Sequence, residues 1–488
     1  MERKIRKCNG RRAGELVGSW QLDYLLGRGG NGDVWRAKKA GEAAANYAVK
    51  FLHKTDSESR ARFRVEIDTL KKIGPTAGVV PIVDCNNPPN EAAEVPWFVM
   101  PLAQSFEEYK LHKSKVDLAK DFVSLAQTLH ELHQQGYSHR DIKPANILFY
   151  DNQLCFSDFG LVKFPEREDL TPQKRDVGAK FTMAPEMRRR AADADGIRAD
   201  VYSFAKTLWI AITGEDLGFD GQYNPDSVLA LRSHLEGLYT TPLDRLLTEC
   251  TDTDPNRRPS MASVRDRIKE WVALTEDFFK RNQLEWVELT NKLFPFGAPA
   301  RASWSGIDEI CTVLSAIADA PSLNHMFYPS KGGMTLLGAN RSHEPGKIEL
   351  LVGVKKVEIL EPRKLSYESF GADLNWSYFR LEAKEIDPSG VEDAVYADGI
   401  SEELTEISPG KYVPYRHWDY GELNGQPLPD SARPVTRFLE GSFVFFSTSS
   451  AYNQAPETYD ARHNNMSEDV FRAYVERSAN ASLAGEAR

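Results

Sequence analysis

Apolar and polar residues change periodicity along this chain in a way that predicts distinct regions. Over residues 20–52 they alternate around glycines, the pattern of strands joined by tight turns. Residues 58–73 switch to helical spacing, with Phe63, Ile67 and Leu70 on one face. Two strands are predicted over 79–102, separated by a polar, proline-bearing connection at Asn86–Asn90. Helix then dominates, and Leu118, Phe122, Leu125, Ala126, Leu129 and Leu132 form a broad apolar stripe over 117–135, suited to a core.

The pattern changes again near residue 275. Residues 276–293 predict an amphipathic helix carrying Phe278, Phe279, Trp286, Val287 and Leu293, broken at Pro295-Phe-Gly-Ala-Pro299. A short helix is expected over 307–317, and strands at 334–338, 348–360, 376–386 and 435–447. The predicted organisation is a basic arm (1–19), a first domain (20–275), a helical linker (276–299), a separate α+β domain (300–450) and a tail (451–488) ending in a short helix. Trp376, Tyr378, Tyr412, Tyr415, Trp418 and Tyr420 enrich the second domain in aromatics. Packing in a sheet core is favoured for them over a ligand or partner surface.

Composition narrows the class. The 488 residues are 41% hydrophobic and 27% charged, which fits a soluble globular chain of two or three domains. A net charge of −10 argues against a nucleic-acid partner. The first dozen residues are basic, with Arg3, Lys4, Arg6, Lys7, Arg11 and Arg12; a solvated terminus is favoured over an arm for an acidic partner. No apolar run approaches the ~18–20 residues of a membrane span, and there is no signal-peptide core, so a cytoplasmic, membrane-free protein is expected. The five cysteines are far apart and show no paired spacing, which suggests reduced thiols.

The chemistry gathers in the first domain. Gly27-Arg-Gly29-Gly30-Asn-Gly32-Asp-Val34 lies between two predicted strands. Glycines allow a backbone to close over phosphates. Taken alone this signal is weak, because a dinucleotide-binding loop has similar glycines, but there a helix follows and here Val34-Trp-Arg-Ala37 continues as strand. Lys50, in Tyr47-Ala-Val-Lys50, could reach phosphates, and Glu66 on the next helix is its candidate anionic anchor. His139-Arg140-Asp141-Ile-Lys143-Pro-Ala-Asn146 is far more specific. Asp141 can orient an attacking hydroxyl, Lys143 can neutralise a transferring phosphoryl group, and Asn146 offers an oxygen to a hard cation. Asp158-Phe159-Gly160 supplies a second oxygen ligand, and Met183-Ala-Pro185-Glu186 closes the loop that begins at Asp158.

In this order and spacing, residues 20–275 resemble the eukaryotic-type (Hanks-type) protein kinase family, and the glycine segment is most similar to those of bacterial serine/threonine kinases. The resemblance implies a bilobal α+β fold, with an antiparallel sheet plus helix over about 20–102 and a mostly helical lobe over about 103–275. It implies ATP bound by Gly27, Gly29, Gly30, Gly32, Val34, Ala48, Lys50, the gatekeeper Met100 and the hinge residue Ala103. Mg²⁺, or Mn²⁺ in its place, would sit on Asn146 and Asp158, and Asp141, Lys143, Lys50 and Glu66 would form the catalytic set. It further implies that Asp200 holds the catalytic-loop backbone, that Arg258 pairs with Glu186, and that Arg140 binds a phosphate on the loop, for which Thr171 is the candidate autophosphorylation site. Lysine at 143 resembles serine/threonine rather than tyrosine kinases. Two departures stand out: Gly178-Ala179 lacks the hydroxyl that the family usually places there to bridge the catalytic aspartate and lysine, and Thr182 stands where tyrosine is common, its hydroxyl a candidate replacement.

The expected partners are protein substrates of unspecified identity and a second copy for trans-autophosphorylation. The region after 300 carries no recognised family motif and is expected to act as a sensor or substrate-recruiting domain, in stress or phage-defence signalling by analogy of architecture. The alternative is an ATP-binding scaffold that works through that domain without transferring phosphate.

Overall fold

The computed structural model describes residues 10–28, 32–52, 56–74, 76–88, 94–163, 181–188, 193–328, 332–353, 356–370, 376–384, 403–408, 411–414, 422–423, 426–437, 441–448 and 466–486. The chain divides into two compact units, Met1–Thr275 and Glu276–Arg488.

The first unit begins with β1 (Leu16–Val17), β2 (Trp20–Arg28), β3 (Gly32–Lys39), β4 (Tyr47–Leu52), α1 (Ser57–Ile73), β5 (Asp84–Asn86) and β6 (Trp97–Pro101). The strands form one antiparallel sheet in the order β1-β2-β3-β4-β6-β5. Helix α1 starts where the Asp56 carboxylate accepts the Ser59 N–H, and ends at Gly74, whose φ of 66° favours glycine. Phe63, Ile67 and Leu70 are its buried face.

Residues 10–19 correct part of the predicted arm. Strand β1 pairs with β2, Val17 and Trp20 are buried, and the Arg11 guanidinium lies 3.9 Å from the centre of the Phe51 ring. These residues belong to the sheet because Val17 and Trp20 have apolar area to bury against Trp35, Phe51 and Trp97. Residues 1–9 lie outside the described residues.

The rest of the unit comprises β7 (Gln104–Ser105), α2 (Phe106–Lys110), α3 (Lys115–Gln134), β8 (Ile147–Tyr150), β9 (Gln153–Phe156), α4 (Gly196–Thr213), α5 (Thr241–Cys250) and α6 (Met261–Glu276). Helix α4 is buried on nearly every side, and Phe204 meets Phe122 of α3 edge-on at 5.5 Å. The short sheet β7-β8-β9 carries the catalytic segment, which occupies the turn between α3 and β8.

The second unit contains α7 (Phe278–Leu293), β10 (Arg301–Trp304), α8 (Ile307–Ala318), β11 (His325–Tyr328), β12 (Gly332–Arg341), β13 (Ile348–Val352), β14 (Lys356–Glu368) and β15 (Tyr378–Lys384). It continues with β16 (Glu403–Ser408), β17 (Lys411–Pro414), β18 (Glu422–Leu423), β19 (Gln426–Pro427), β20 (Arg433–Arg437), β21 (Gly441–Phe446) and α9 (Glu468–Glu486). Strands β12 and β14 are long and shared. The first part of β14 pairs with β13 and β20, and its second part with β15 and β10. Register shifts between Pro362 and Lys364, and between Leu336 and Gly338 in β12, mark where each strand bends. The sheet therefore curls back on itself through the β13–β14 pairing.

Three expectations are corrected here. The helix expected over 276–293 is present as α7, but it belongs to the second unit and does not link two domains: Trp286 and Leu289 are buried with Leu314, Tyr367 and Phe379 in that unit's core. The single strand expected over 348–360 is two, β13 and β14, and Gly353 with φ 54° lies where the chain reverses. The single strand over 435–447 is likewise split: β20 runs parallel to β14, whereas β21 lies between β11 and β15. Both errors share a cause, since a continuous apolar run shows burial but not where the chain turns. The tail contributes α9, whose Phe471, Tyr474, Val475 and Ala479 are buried. Trp376 and Tyr378 are core residues; Tyr415, Trp418 and Tyr420 lie outside the described residues.

Candidate active site

The strand register of the first unit sets out a nucleotide cradle. Val34 pairs with Lys50 across β3–β4, and Ala48 pairs with Met100 across β4–β6, so these four positions adjoin on three neighbouring strands. The hinge after β6 is held by the Leu102 N–H donating to the Asn46 carbonyl at 2.8 Å, next to Ala103. Gly27 lies near the end of β2 and Gly32 opens β3; Gly29 and Gly30 lie outside the described residues. A side chain at 32 would place its Cβ 2.4 Å from the Phe51 carbonyl oxygen, whereas a Cβ at 27 meets nothing within 4 Å. Gly32 thus serves close strand approach, and Gly27 has room for a Cβ among the described residues.

Lys50 is anchored as the residue types suggest. Its Nζ lies 2.6 Å from Glu66 Oε1 and 3.5 Å from Asp158 Oδ1, joining β4, α1 and the Asp-Phe-Gly segment. Burial works against the Lys50 ammonium, but Asp158 and Glu66 outweigh it and hold its pKa at about 12. Burial pushes Glu66 up to about 7 against the pull of Lys50. Burial also raises Asp158, but Lys50 and Lys143 prevail and keep it below the usual carboxylate range.

The catalytic segment is fixed from two sides. On one side, Asp200 of α4 accepts the backbone N–H groups of His139 and Arg140, both at 2.7 Å. This holds Arg140 at φ 65°, a strained conformation for a non-glycine residue. On the other, Lys143 Nζ donates to Asp141 Oδ2 at 2.7 Å, and Asn146 Nδ2 donates to the same oxygen at 2.9 Å and to the Asp141 carbonyl at 2.8 Å. Asp141 Oδ1 is buried and has no hydrogen-bond donor among the described residues.

With its amide nitrogen committed, Asn146 presents its oxygen. Asp158 holds φ 61° and an ionised carboxylate. Two hard oxygen donors suit a Mg²⁺-type cation, so Asn146 and Asp158 fit the divalent metal that the fold implies. Such an ion would neutralise phosphate charge.

Two histidines to which the sequence assigned no role complete the frame. His133 Nε2 lies 3.0 Å from Asp200 Oδ2, and since a carboxylate only accepts, the imidazole donates. His139 Nε2 lies 3.1 Å from the Ser157 carbonyl, and its ring packs 4.8 Å from fully buried Phe159. His133 and Asp200 are 67 residues apart, and nothing in local periodicity pairs them. The Arg258–Glu186 pair expected from the resemblance is present, with Nη1–Oε1 at 2.5 Å and Nη2–Oε2 at 3.0 Å. Thr171, Gly178 and Ala179 lie outside the described residues.

A bilobal unit with this constellation defines a protein kinase domain. The sequence pattern of that family, "Protein kinase domain", matches residues 20–268, and the chain belongs to it. Among curated proteins the chain is similar to the DNA damage-responsive serine/threonine-protein kinase RqkA of Deinococcus radiodurans, at 34% identity over 208 residues, 41% of this chain and 30% of that one. It is similar to the serine/threonine-protein kinase AfsK of Streptomyces coelicolor at 27% identity, covering 52% of this chain and 32% of the other. It also matches the serine/threonine-protein kinase PknE of Mycobacterium bovis at 27% identity, covering 47% and 40%. The chain thus spans well under half the length of these relatives. No described helix is long and apolar enough to cross a membrane.

Proposed function

We propose that this chain is a serine/threonine protein kinase that uses ATP and Mg²⁺ to phosphorylate protein hydroxyls, and that it activates itself by phosphorylation of Thr171. The observation that carries the reading is the asymmetry of Asp141: Oδ2 is held by Lys143 and Asn146, while Oδ1 is left without a donor. A buried acceptor with no partner costs about 1–3 kcal/mol. A substrate hydroxyl satisfies it and is thereby aimed at the γ-phosphate. Lys143, beside the transferring group, offsets its charge. The relatives' descriptions as serine/threonine-protein kinases support the hydroxyl specificity.

The second unit is a regulatory or recruiting domain in this proposal, and the setting is cytosolic stress signalling, in line with the DNA damage-responsive description of RqkA. Ala179 favours one competing reading, a nucleotide-binding scaffold, because the family's bridging hydroxyl is missing from the sequence. The two separate on incubating purified chain with ATP and Mg²⁺ and locating phosphate by mass spectrometry, beside Lys50→Met and Asp141→Asn. Phosphate on serine or threonine in the wild type alone supports the kinase. Nucleotide binding with no transfer to the chain or to a general protein substrate selects the scaffold. Phosphate elsewhere but not on Thr171 removes the switch and leaves the kinase. Unchanged survival of an Asp141→Asn strain after DNA damage would overturn the stress role.

A further inference from the structure

The curled sheet of the second unit has two unlike faces. Leu365, Tyr367, Phe379 and Leu381 point into the apolar core with α7 and α8. The alternate positions of the same paired strands are Lys364, Ser366, Glu368, Tyr378, Arg380 and Glu382. On that face α9 is seated, with Phe471 edge-on to Tyr378 at 5.1 Å.

Charge grips the start of the helix. The Arg380 guanidinium donates to the Met466 carbonyl and to Glu382. Lys364 Nζ donates to Glu468 Oε2 at 2.6 Å. Arg472 donates to Glu468 at 3.1 Å, to Asp469 at 2.7 Å and back to Glu368 of the sheet at 2.7 Å. Ser467 stands between the two gripped residues, 466 and 468. It is exposed, and its carbonyl accepts the Phe471 N–H at 2.9 Å, which opens the 19-residue helix. The independent observation is Arg380. It is 2% exposed, its Nη2 reaches the residue next to Ser467, and its Nε has no hydrogen-bond partner among the described residues.

We infer that Ser467 is a phosphoacceptor for this chain's own kinase activity, and that phosphoserine there locks α9 onto the sheet. The inference rests on the kinase reading for the transfer step. The serine Oγ forms a bond to the γ-phosphorus of ATP as the bond to the β,γ-bridging oxygen breaks. ADP leaves, and the hydroxyl proton passes through the catalytic carboxylate to water. The product carries a charge of about −1.5 to −2 at a helix N-terminus, where unpaired N–H groups and the helix dipole favour an anion. Glu468 and Asp469 oppose it, but each is already matched by Lys364 or Arg472. The cations nearest in the hydrogen-bond network are Arg380, which holds Met466, and Lys364 and Arg472, which hold Glu468.

The test has two arms on the full chain. In the first, wild type and Asp141→Asn are incubated with ATP and Mg²⁺ and their phosphosites mapped. Phosphate on Ser467 in the wild type alone is expected. Phosphate on other residues but not on Ser467 overturns the site while the kinase reading stands. No transfer to any residue or to a general protein substrate overturns the kinase reading, and the self-modification with it. In the second arm phosphoserine is installed at 467 by genetic encoding, which needs no kinase activity, and amide exchange of α9 is followed. Exchange over 468–480 is expected to slow about tenfold, the size of a charge-assisted contact at a helix terminus. Lys364→Met should diminish that slowing, while Ser467→Ala leaves the unphosphorylated rate unchanged. Unchanged or faster exchange in the phosphorylated chain overturns the lock.

Discussion

Arg258 and Glu186, 72 residues apart, meet in a two-pronged ion pair with the arginine side chain fully buried. Arg258 also donates to the carbonyls of Asp252 at 2.9 Å and Arg198 at 3.0 Å, so it ties the loop ending at Glu186 to α4 and to the approach to α6. Glu186→Ala strands a buried cation and is expected to cost about 3–5 kcal/mol. Glu186→Ala with Arg258→Met should recover part of that loss, because no charge is left unpaired. Urea unfolding of the wild type, both single variants and the double variant checks the order. A double variant less stable than Glu186→Ala would contradict it.

The Lys50–Glu66 pair gives phosphoryl transfer an acid limb. With Glu66 at about 7, its carboxylate protonates as the pH falls through neutrality and releases its hold on the Lys50 ammonium. Transfer should decline below about pH 7 along a one-proton limb. Glu66→Gln should be slow at every pH and lose that limb. The linkage to folding has the opposite sense. A carboxyl whose folded pKa exceeds its unfolded value binds protons more readily when folded, so its contribution to stability falls as the pH rises from 4.5 to about 7. A pH–rate profile of both proteins at saturating ATP is the measurement.

Lys206 is a second buried titrating group, away from the nucleotide. Burial lowers its pKa to about 8, against the opposing pull of Asp220, and its ammonium donates to the Phe219 carbonyl. The unfolded chain therefore binds more protons than the folded one between about pH 8 and 10.5, and stability from this group rises with pH across that window. Below pH 8 the charged lysine costs up to roughly 3 kcal/mol relative to alkaline solution. Lys206→Met lacks the titration, so the stability gap between variant and wild type should shift by about that amount from pH 7.5 to 10.5. A gap that is flat with pH would show that the lysine titrates alike in the folded and unfolded chains, with no lowering by burial.

The two glycines at the strand turn should separate structure from binding. Gly32→Ala drives its Cβ to within 2.4 Å of backbone at Phe51, so β3 and β4 must part. A loss of roughly 1–3 kcal/mol is expected from such overpacking. Gly27→Ala meets nothing within 4 Å, and stability should change by less than about 1 kcal/mol, while ATP affinity falls because the methyl group borders the cradle. Thermal unfolding with and without ATP distinguishes the two effects.

The kinase unit was legible because its chemistry is written in short, ordered motifs. Lys50, Glu66, Asp141, Asn146 and Asp158 are named by their neighbours in sequence, and the fold brings them together. His133 was not legible, because its meaning depends on Asp200, which reaches it only through the packing of α3 on α4. The second unit carries no such motifs. There the apolar runs gave burial but not reversal, so 348–360 and 435–447 each read as one strand. Its polar alternates were also silent, since Arg380 and Glu382 look like any solvated strand face until α9 covers them.

The unlike faces of β14 and β15 also limit how this sheet can err. Sliding β15 by a single residue along β14 would carry Arg380 and Glu382 into the apolar layer and turn Phe379 and Leu381 out beneath α9. Both layers would be ruined at once. The pairing is therefore proofread from two sides, and substitutions that blur either face should first appear as misregistered, aggregating chains rather than as weakened native ones.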